Sequence, residues 1–136
     1  MVPDTSVLVS ALLQPQGNCG RILRAWRQGE VELVVCPELL AELADVLRRP
    51  KLRRRVSTQE AKSFVRLLRA QAELRADPEH VARLAADPGD DYIIALAQAT
   101  RADLIVSGDA HLTGLTGPGA VVLSPAALAG RLTSGA

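Results

Sequence analysis

Aromatic residues are almost missing from this chain: its 136 residues include one Trp, one Tyr and one Phe. That scarcity leaves no row of rings on which a single-strand-binding groove could stack bases. Cysteine is nearly as rare. Cys19 and Cys36 are too few for a disulfide framework, and neither has Cys or His neighbours at zinc-ligand spacing, so a reducing cytoplasm is the expected compartment. No apolar run approaches the roughly 20 residues that a membrane-spanning helix needs. No basic segment followed by an apolar one marks a secretory signal at the N-terminus. An excess of one charge is absent too. The formal net charge is +1, so the whole-molecule field announces no nucleic-acid partner. There is no Gly-x-Gly-x-x-Gly and no phosphate-cradling loop of the Walker type, which weakens a nucleotide-binding reading. Ser6 and Ser107 have no nearby His base, which disfavours a hydrolase triad, and His80 and His111 read as structural or surface residues.

What is present is Ala, Leu and Val in alternating patterns. The length fits one domain over residues 1–136, with enough chain to bury a core. Met1-Val2 reads as a strand stub, residues 7–13 as a short helix, 14–18 as a polar loop, and 20–28 as a helix stopped by Gly29. Residues 31–36 form a valine-rich apolar run interrupted by Glu32, expected as a buried strand, and Pro37 then occupies a favoured first helical position. The helix over 37–48 places Leu40, Leu43 and Leu47 on one face and Glu38, Glu42 and Asp45 along another. A basic loop at 48–55 is interrupted by Pro50. Ser57 or Thr58 caps a helix to about Ala70, and a weak strand follows at 72–75. Residues 81–85 are ambiguous. A helix is expected over 90–100, strands over 104–106 and 120–123, a last helix capped by Ser124-Pro125, and fraying from Thr133 onward. Strands alternating with helices predict a parallel sheet covered on both faces, with ligands outside the carboxyl ends of the strands.

Acids at four places fall at that predicted edge. Asp4 ends the first strand, Glu42 lies on the third helix, Asp90 and Asp91 open the 90–100 helix, and Asp109 follows the strand at 104–106. Each has an ordinary explanation in isolation. Asp4 is a helix cap, Glu42 a solvated helix residue, Asp90 and Asp91 complements to a helix dipole, and Asp109 a turn residue beside Gly108. Converging carboxylates repel unless a cation sits between them, and hard oxygen donors favour Mg²⁺ or Mn²⁺. The segment Arg48-Arg49-Pro50-Lys51-Leu52-Arg53-Arg54-Arg55 reads equally as a solvated loop or as a grip on phosphate.

At these residues the chain resembles the PIN-domain nucleases, closest to the bacterial VapC-like toxins of toxin–antitoxin pairs. The matching pieces are Asp4-Thr5-Ser6-Val7-Leu8-Val9-Ser10-Ala11, Glu42-Leu43 with Val46-Leu47, and Arg49-Pro50-Lys51-Leu52. They continue with Asp87-Pro88-Gly89-Asp90-Asp91 before Ile94-Ala95-Leu96-Ala97, then Ala102-Asp103-Leu104-Ile105-Val106-Ser107-Gly108-Asp109 before Leu112, and Val122-Leu123-Ser124-Pro125. They cover essentially the whole chain in order. The resemblance implies a three-layer α/β/α fold with a central parallel sheet. It implies a Mg²⁺- or Mn²⁺-dependent endoribonuclease, an RNA substrate, a small antitoxin partner and a homodimer. Its acidic quartet maps onto Asp4, Glu42, Asp91 and Asp109 as metal ligands and catalytic residues. Thr5, Ser6, Ser107 and Asp90 become groups that orient the carboxylates. Arg49, Lys51, Arg53, Arg54 and Arg55 become candidates for holding RNA. The chain departs from the family in one respect. Only Met1, Val2 and Pro3 precede Asp4, and Pro3 removes a ladder donor from a strand expected at the centre of the sheet.

Two other readings compete. A receiver-like phosphoacceptor also gathers acids at a sheet edge, but it needs a Lys near the last strand, and the only lysines are Lys51 and Lys62. A PIN-like scaffold without catalysis would have lost one or more of the four acids, and all four are present.

Overall fold

The computed structural model describes residues 1–77, 96–97, 104–107, 116–117 and 120–134. In chain order its elements are β1 (Val2–Pro3), α1 (Thr5–Leu13), α2 (Asn18–Arg27), β2 (Val34–Val35), α3 (Pro37–Leu47), α4 (Pro50–Arg53) and α5 (Thr58–Gln71). They continue with β3 (Glu73–Leu74), β4 (Leu104–Val106), β5 (Thr116–Gly117), β6 (Ala120–Leu123) and α6 (Pro125–Ser134).

Strands β1, β4, β6 and β5 form one sheet in that order, and β2 pairs with β3. The pairs β1–β4, β4–β6 and β2–β3 are parallel. The edge strand β5 runs antiparallel to β6, an element the sequence patterning does not anticipate. The two sheets touch where the Val34 N–H donates to the Met1 carbonyl at 2.8 Å. The next bond of a parallel ladder would run from the N–H of residue 3 to the Val34 carbonyl, and Pro3 has no N–H. The Met1 ammonium also donates to the Glu32 carbonyl at 2.8 Å, so the join between β1 and β2 is two bonds long and stops at the donor that Pro3 lacks. Strand β2 spans two residues, the length over which it pairs with β3, where the apolar run predicts six, although Leu33 and Cys36 on either side are buried as well.

Helices lie on both sides of the sheet. Successive strand residues point to opposite faces, and on β4 Ile105 joins the cluster that holds Leu40, Leu43, Leu47 and Leu68 of α3 and α5. Val106 joins a second cluster with Val7 of α1, Ile22 of α2 and Leu128 of α6. Helices α1 and α2 contribute to both clusters. This is the three-layer α/β/α arrangement that strand–helix alternation predicts.

The local capping signals act as their chemistry dictates. Ser57 and Glu60 form a reciprocal capping box at the start of α5, and Ser124 Oγ accepts from the Ala127 N–H at 3.1 Å in the first turn of α6. Four boundaries differ from expectation. Helix α2 begins at Asn18, two residues early and inside the expected loop. Helix α1 begins at Thr5, two residues early, because Asp4 caps it. The basic loop contains a helical turn, α4, because Pro50 sits at a first-turn position where a missing N–H costs nothing. Thr133 and Ser134 continue α6 in place of fraying. Of the helix expected over 90–100, the described residues Leu96 and Ala97 are helical and buried. The rest of it, and segment 81–85, lie outside the described residues.

Candidate active site

The site begins where two neighbouring strands end. The Asp4 N–H donates to the Val106 carbonyl at 2.8 Å, and the Ser107 N–H donates to the Leu123 carbonyl at 3.1 Å. Backbone pairing thus runs one residue past β1 and β4 and sets Asp4 beside Ser107. The fully buried Ser107 then donates its hydroxyl to Asp4 Oδ2 at 2.7 Å. Asp4 Oδ1 accepts from the Ser6 N–H at 3.3 Å, which is the N-cap bond of α1. Both carboxylate oxygens are therefore oriented, and each keeps acceptor capacity for a further partner. The N-terminus of α1 adds a favourable field for negative charge there.

Thr5 is 4% exposed, and its Oγ1 is buried with no hydrogen-bond partner among the described residues. An orphaned hydroxyl of this kind is costly, so its place in a cleft wall is notable. Glu42 comes from across the cleft. Helix α3 buries Leu39, Leu40, Leu43 and Leu47, which leaves Glu38, Glu42 and Asp45 on its exposed side. Asp4, Thr5, Ser6, Glu42, Arg49 and Lys51 all line one cleft of about 740 Å³.

The basic segment is divided by α4. Arg49 and Lys51 line the cleft with the two acids. Arg53 turns the other way, donating to Thr58 Oγ1 at 3.3 Å and lining a separate groove. Arg54 and Arg55 are exposed and line neither. Asp90, Asp91 and Asp109 lie outside the described residues. Among those described, no group of three or more His, Cys, Asp or Glu side chains gathers in metal-binding geometry. The donors that line the cleft fit a hard divalent cation: carboxylates on Asp4 and Glu42.

One acid near the site escapes sequence reading. The Glu38 N–H, in the first turn of α3, donates to Asp77 Oδ1 at 2.8 Å, so a carboxylate 39 positions away caps the helix that carries Glu42. The sequence offers no local signal for such a cap. Its cost falls on Glu38, whose carboxyl is pushed above its ordinary range, first by partial burial and then by the charges of Asp77 and Glu42. Burial likewise pushes the Cys36 thiol up to about 11, so this cysteine is a protonated core residue at neutral pH.

Comparison with known proteins agrees with this architecture. A family model described as PIN domain matches residues 1–111. An uncharacterized protein from Methanocaldococcus jannaschii is 26% identical over 115 residues, covering 85% of this chain and 74% of that protein. Among solved structures, VapBC2 from Rickettsia felis, bound to a DNA fragment from their promoter, superposes with a TM-score of 0.62 at 13% identity. The match covers 90% of this chain and 96% of that one, and at this identity it is a likeness of fold. With its β1–β4–β6 sheet, the acid at the end of β1 and a family match over most of its length, this chain belongs to the PIN domain family.

Proposed function

We propose that this protein is a metal-dependent endoribonuclease that hydrolyses RNA phosphodiester bonds, acting as the toxin of a toxin–antitoxin pair in the cytoplasm. The single domain spans 1–136, pairs with a second copy, and is restrained by a small antitoxin. The observation that carries the catalytic reading is the Asp4 carboxylate, oriented by Ser107 and Ser6 in the cleft that also holds Glu42, Arg49 and Lys51. Family membership supports nuclease chemistry. The toxin–antitoxin reading rests on the sequence resemblance and on the fold likeness to VapBC2.

Asp4 and Glu42 would hold Mg²⁺ or Mn²⁺, with Asp91 and Asp109 completing the set as the resemblance implies. When bound, such a cation supplies a water of lowered pKa and offsets charge on the attacked phosphate. The chain's own residues do the rest. Ser107 and the Ser6 N–H fix the orientation of the Asp4 carboxylate, so it need not reorganise when an ion arrives. Arg49 and Lys51 hold the phosphodiester backbone at the cleft wall, a contact that carries charge but little base preference. No side-chain nucleophile is required.

The test is cleavage of single-stranded RNA by the purified chain in Mg²⁺ or Mn²⁺. Cleavage that stops with chelator and returns with added metal supports the reading. Chelator-resistant cleavage overturns the metal dependence, and no cleavage in either metal overturns the enzymatic reading and favours a binding or scaffold module.

A further inference from the structure

A second concavity, of about 530 Å³, lies between α3 and α5. Its floor is apolar, made of Ala44 and Leu47 from α3 and Ala61 and Val65 from α5. Its walls are cationic: Arg48, Arg53, Lys62, Arg66 and Arg69. No described lining residue is acidic, and none of the five cations is in an ion pair among the described residues. This is a local concentration, because the whole chain carries a net charge of only +1. On α5 the lining positions 61, 62, 65, 66 and 69 repeat every four residues, so one continuous side of the helix faces the groove.

We propose that the α3–α5 groove binds an acidic amphipathic helix of a partner protein. A helix with apolar residues at i and i+4 would seat them on the Ala44, Leu47, Ala61 and Val65 floor, while flanking carboxylates meet the five cations. The groove suits nucleic acid less well. A phosphate backbone has no use for an aliphatic floor, and no aromatic lines the groove to stack a base. A second copy of this chain fits least, since a two-fold pairing across the groove would set the five cations against the same five. The occupant would also meet α4, whose Arg53 lines the groove while the neighbouring Lys51 and Leu52 line the Asp4 cleft. The inference does not depend on what the cleft cleaves.

The probe is a fluorescein-labelled peptide of about 14 residues, with Leu and Ala at i and i+4 flanked by Glu. At about 1.5 Å per residue it is ~21 Å long as a helix, enough to span the ~12 Å from position 61 to position 69. Fluorescence anisotropy with the full chain should give saturable binding that weakens as salt rises. The same peptide with Lys in place of Glu should not bind. The triple variant Lys62→Glu/Arg66→Glu/Arg69→Glu should lose affinity by about tenfold or more. The milder Arg66→Gln/Arg69→Gln variant should lose part of it. A melting curve for each variant establishes that loss of binding is not loss of fold. Three results overturn the proposal. One is the absence of saturable binding. Another is equal affinity in the folded triple variant. The third is single-stranded RNA displacing the peptide while the triple variant loses RNA affinity, which makes the groove a nucleic-acid surface. Activity of the cleft is a separate readout, so this proposal can fail while RNA cleavage stands, and the reverse.

Discussion

Ser107 Oγ donates to Asp4 Oδ2 at 2.7 Å, joining residues 103 positions apart in sequence. The bond exists because β1 and β4 are parallel neighbours in a register that sets Val2 opposite Ile105 and Pro3 opposite Val106. One residue further, the side chains that emerge are Asp4 and Ser107. Ser107 is fully buried, so its hydroxyl bonds the carboxylate without competition from bulk water. The pair is thus a product of sheet register, and it presents a fixed acid at the cleft wall.

Ser107→Ala should leave that oxygen without its donor. A hydrogen bond to a charged group removed from a buried position should cost about 1–2 kcal/mol, read from urea denaturation. The apparent affinity for Mn²⁺, followed by the metal dependence of RNA cleavage, should fall by about tenfold, the lower end for a lost orienting contact. Unchanged metal dependence would mean that Ser107 serves packing alone.

Asp4 has two roles that substitution separates, since it caps α1 and lines the cleft. Asn caps as well as Asp, its amide oxygen can keep the Ser6 bond, and its amino group can donate to Ser107. Asp4→Asn should therefore abolish cleavage while stability stays within about 0.5 kcal/mol. Asp4→Ala should abolish cleavage and also lower stability by about 1–2 kcal/mol through loss of the cap and the Ser107 bond. Equal stability of the two variants would sink the assignment of the cap.

The readable parts of this fold are those with local chemistry. The α5 capping box, Pro37 at the start of α3 and the leucine stripe Leu40, Leu43 and Leu47 each depend on residues within one or two turns. What escapes depends on partners distant in sequence. The shortness of β2 follows from its two-residue pairing with β3, and the antiparallel β5 depends on its pairing with β6. The cap on α3 comes from Asp77. At the site, strand-end logic points to Asp4, and Ser107 enters through the family resemblance. Which hydroxyl bonds the carboxylate is decided by register, and Thr5, its sequence neighbour, is left without a partner among the described residues. The basic segment reads as one patch, yet the helical turn of α4 sends Arg49 and Lys51 to the cleft and Arg53 to the groove.

The Asp77–Glu38 relationship predicts opposite effects from neighbouring acids. Asp77→Ala removes the α3 cap and should cost about 1 kcal/mol. Glu38→Gln removes a charge that the fold disfavours and should raise the melting temperature at neutral pH. Because the Glu38 carboxyl is raised in the folded protein, the folded state holds this proton to higher pH than the unfolded chain does. Stability from this residue is therefore present at low pH and declines as pH rises through its raised titration range, the reverse of a salt-bridged acid. The gain in Glu38→Gln should accordingly shrink toward pH 4, and thermal melts across pH 4–7 test that sign. A gain that is constant with pH would exclude the electrostatic cause.

Gly20 is the one small residue that the α1–α2 junction demands. A Cβ there would run into the Pro15 backbone, and the Arg24 guanidinium donates to the Pro15 carbonyl and holds that loop in place. Gly20→Ala, normally favourable inside a helix, should instead destabilise by about 1–3 kcal/mol because backbone must move. Arg24→Ala in the same background should recover part of the loss by freeing the loop. Denaturation midpoints of the single and double variants decide the matter, and simple additivity would rule out the coupling.

The division of the basic segment gives the most direct test of where RNA lies. Arg49 and Lys51 share the cleft with Asp4 and Glu42, whereas Arg54 and Arg55 are exposed and line neither concavity. If the backbone passes the cleft, the double variant Arg49→Ala/Lys51→Ala should weaken RNA binding. It should also flatten the dependence of log affinity on log salt by up to about 1.4 units, at roughly 0.7 per phosphate contact on a single strand. Arg54→Ala/Arg55→Ala removes the same charge from a few residues away and should change the slope by much less. The cut positions should be the same in both, because phosphate contacts set affinity and not base choice. Equal slopes in the two variants would mean that the cations act only through overall charge, and that RNA does not follow the cleft wall.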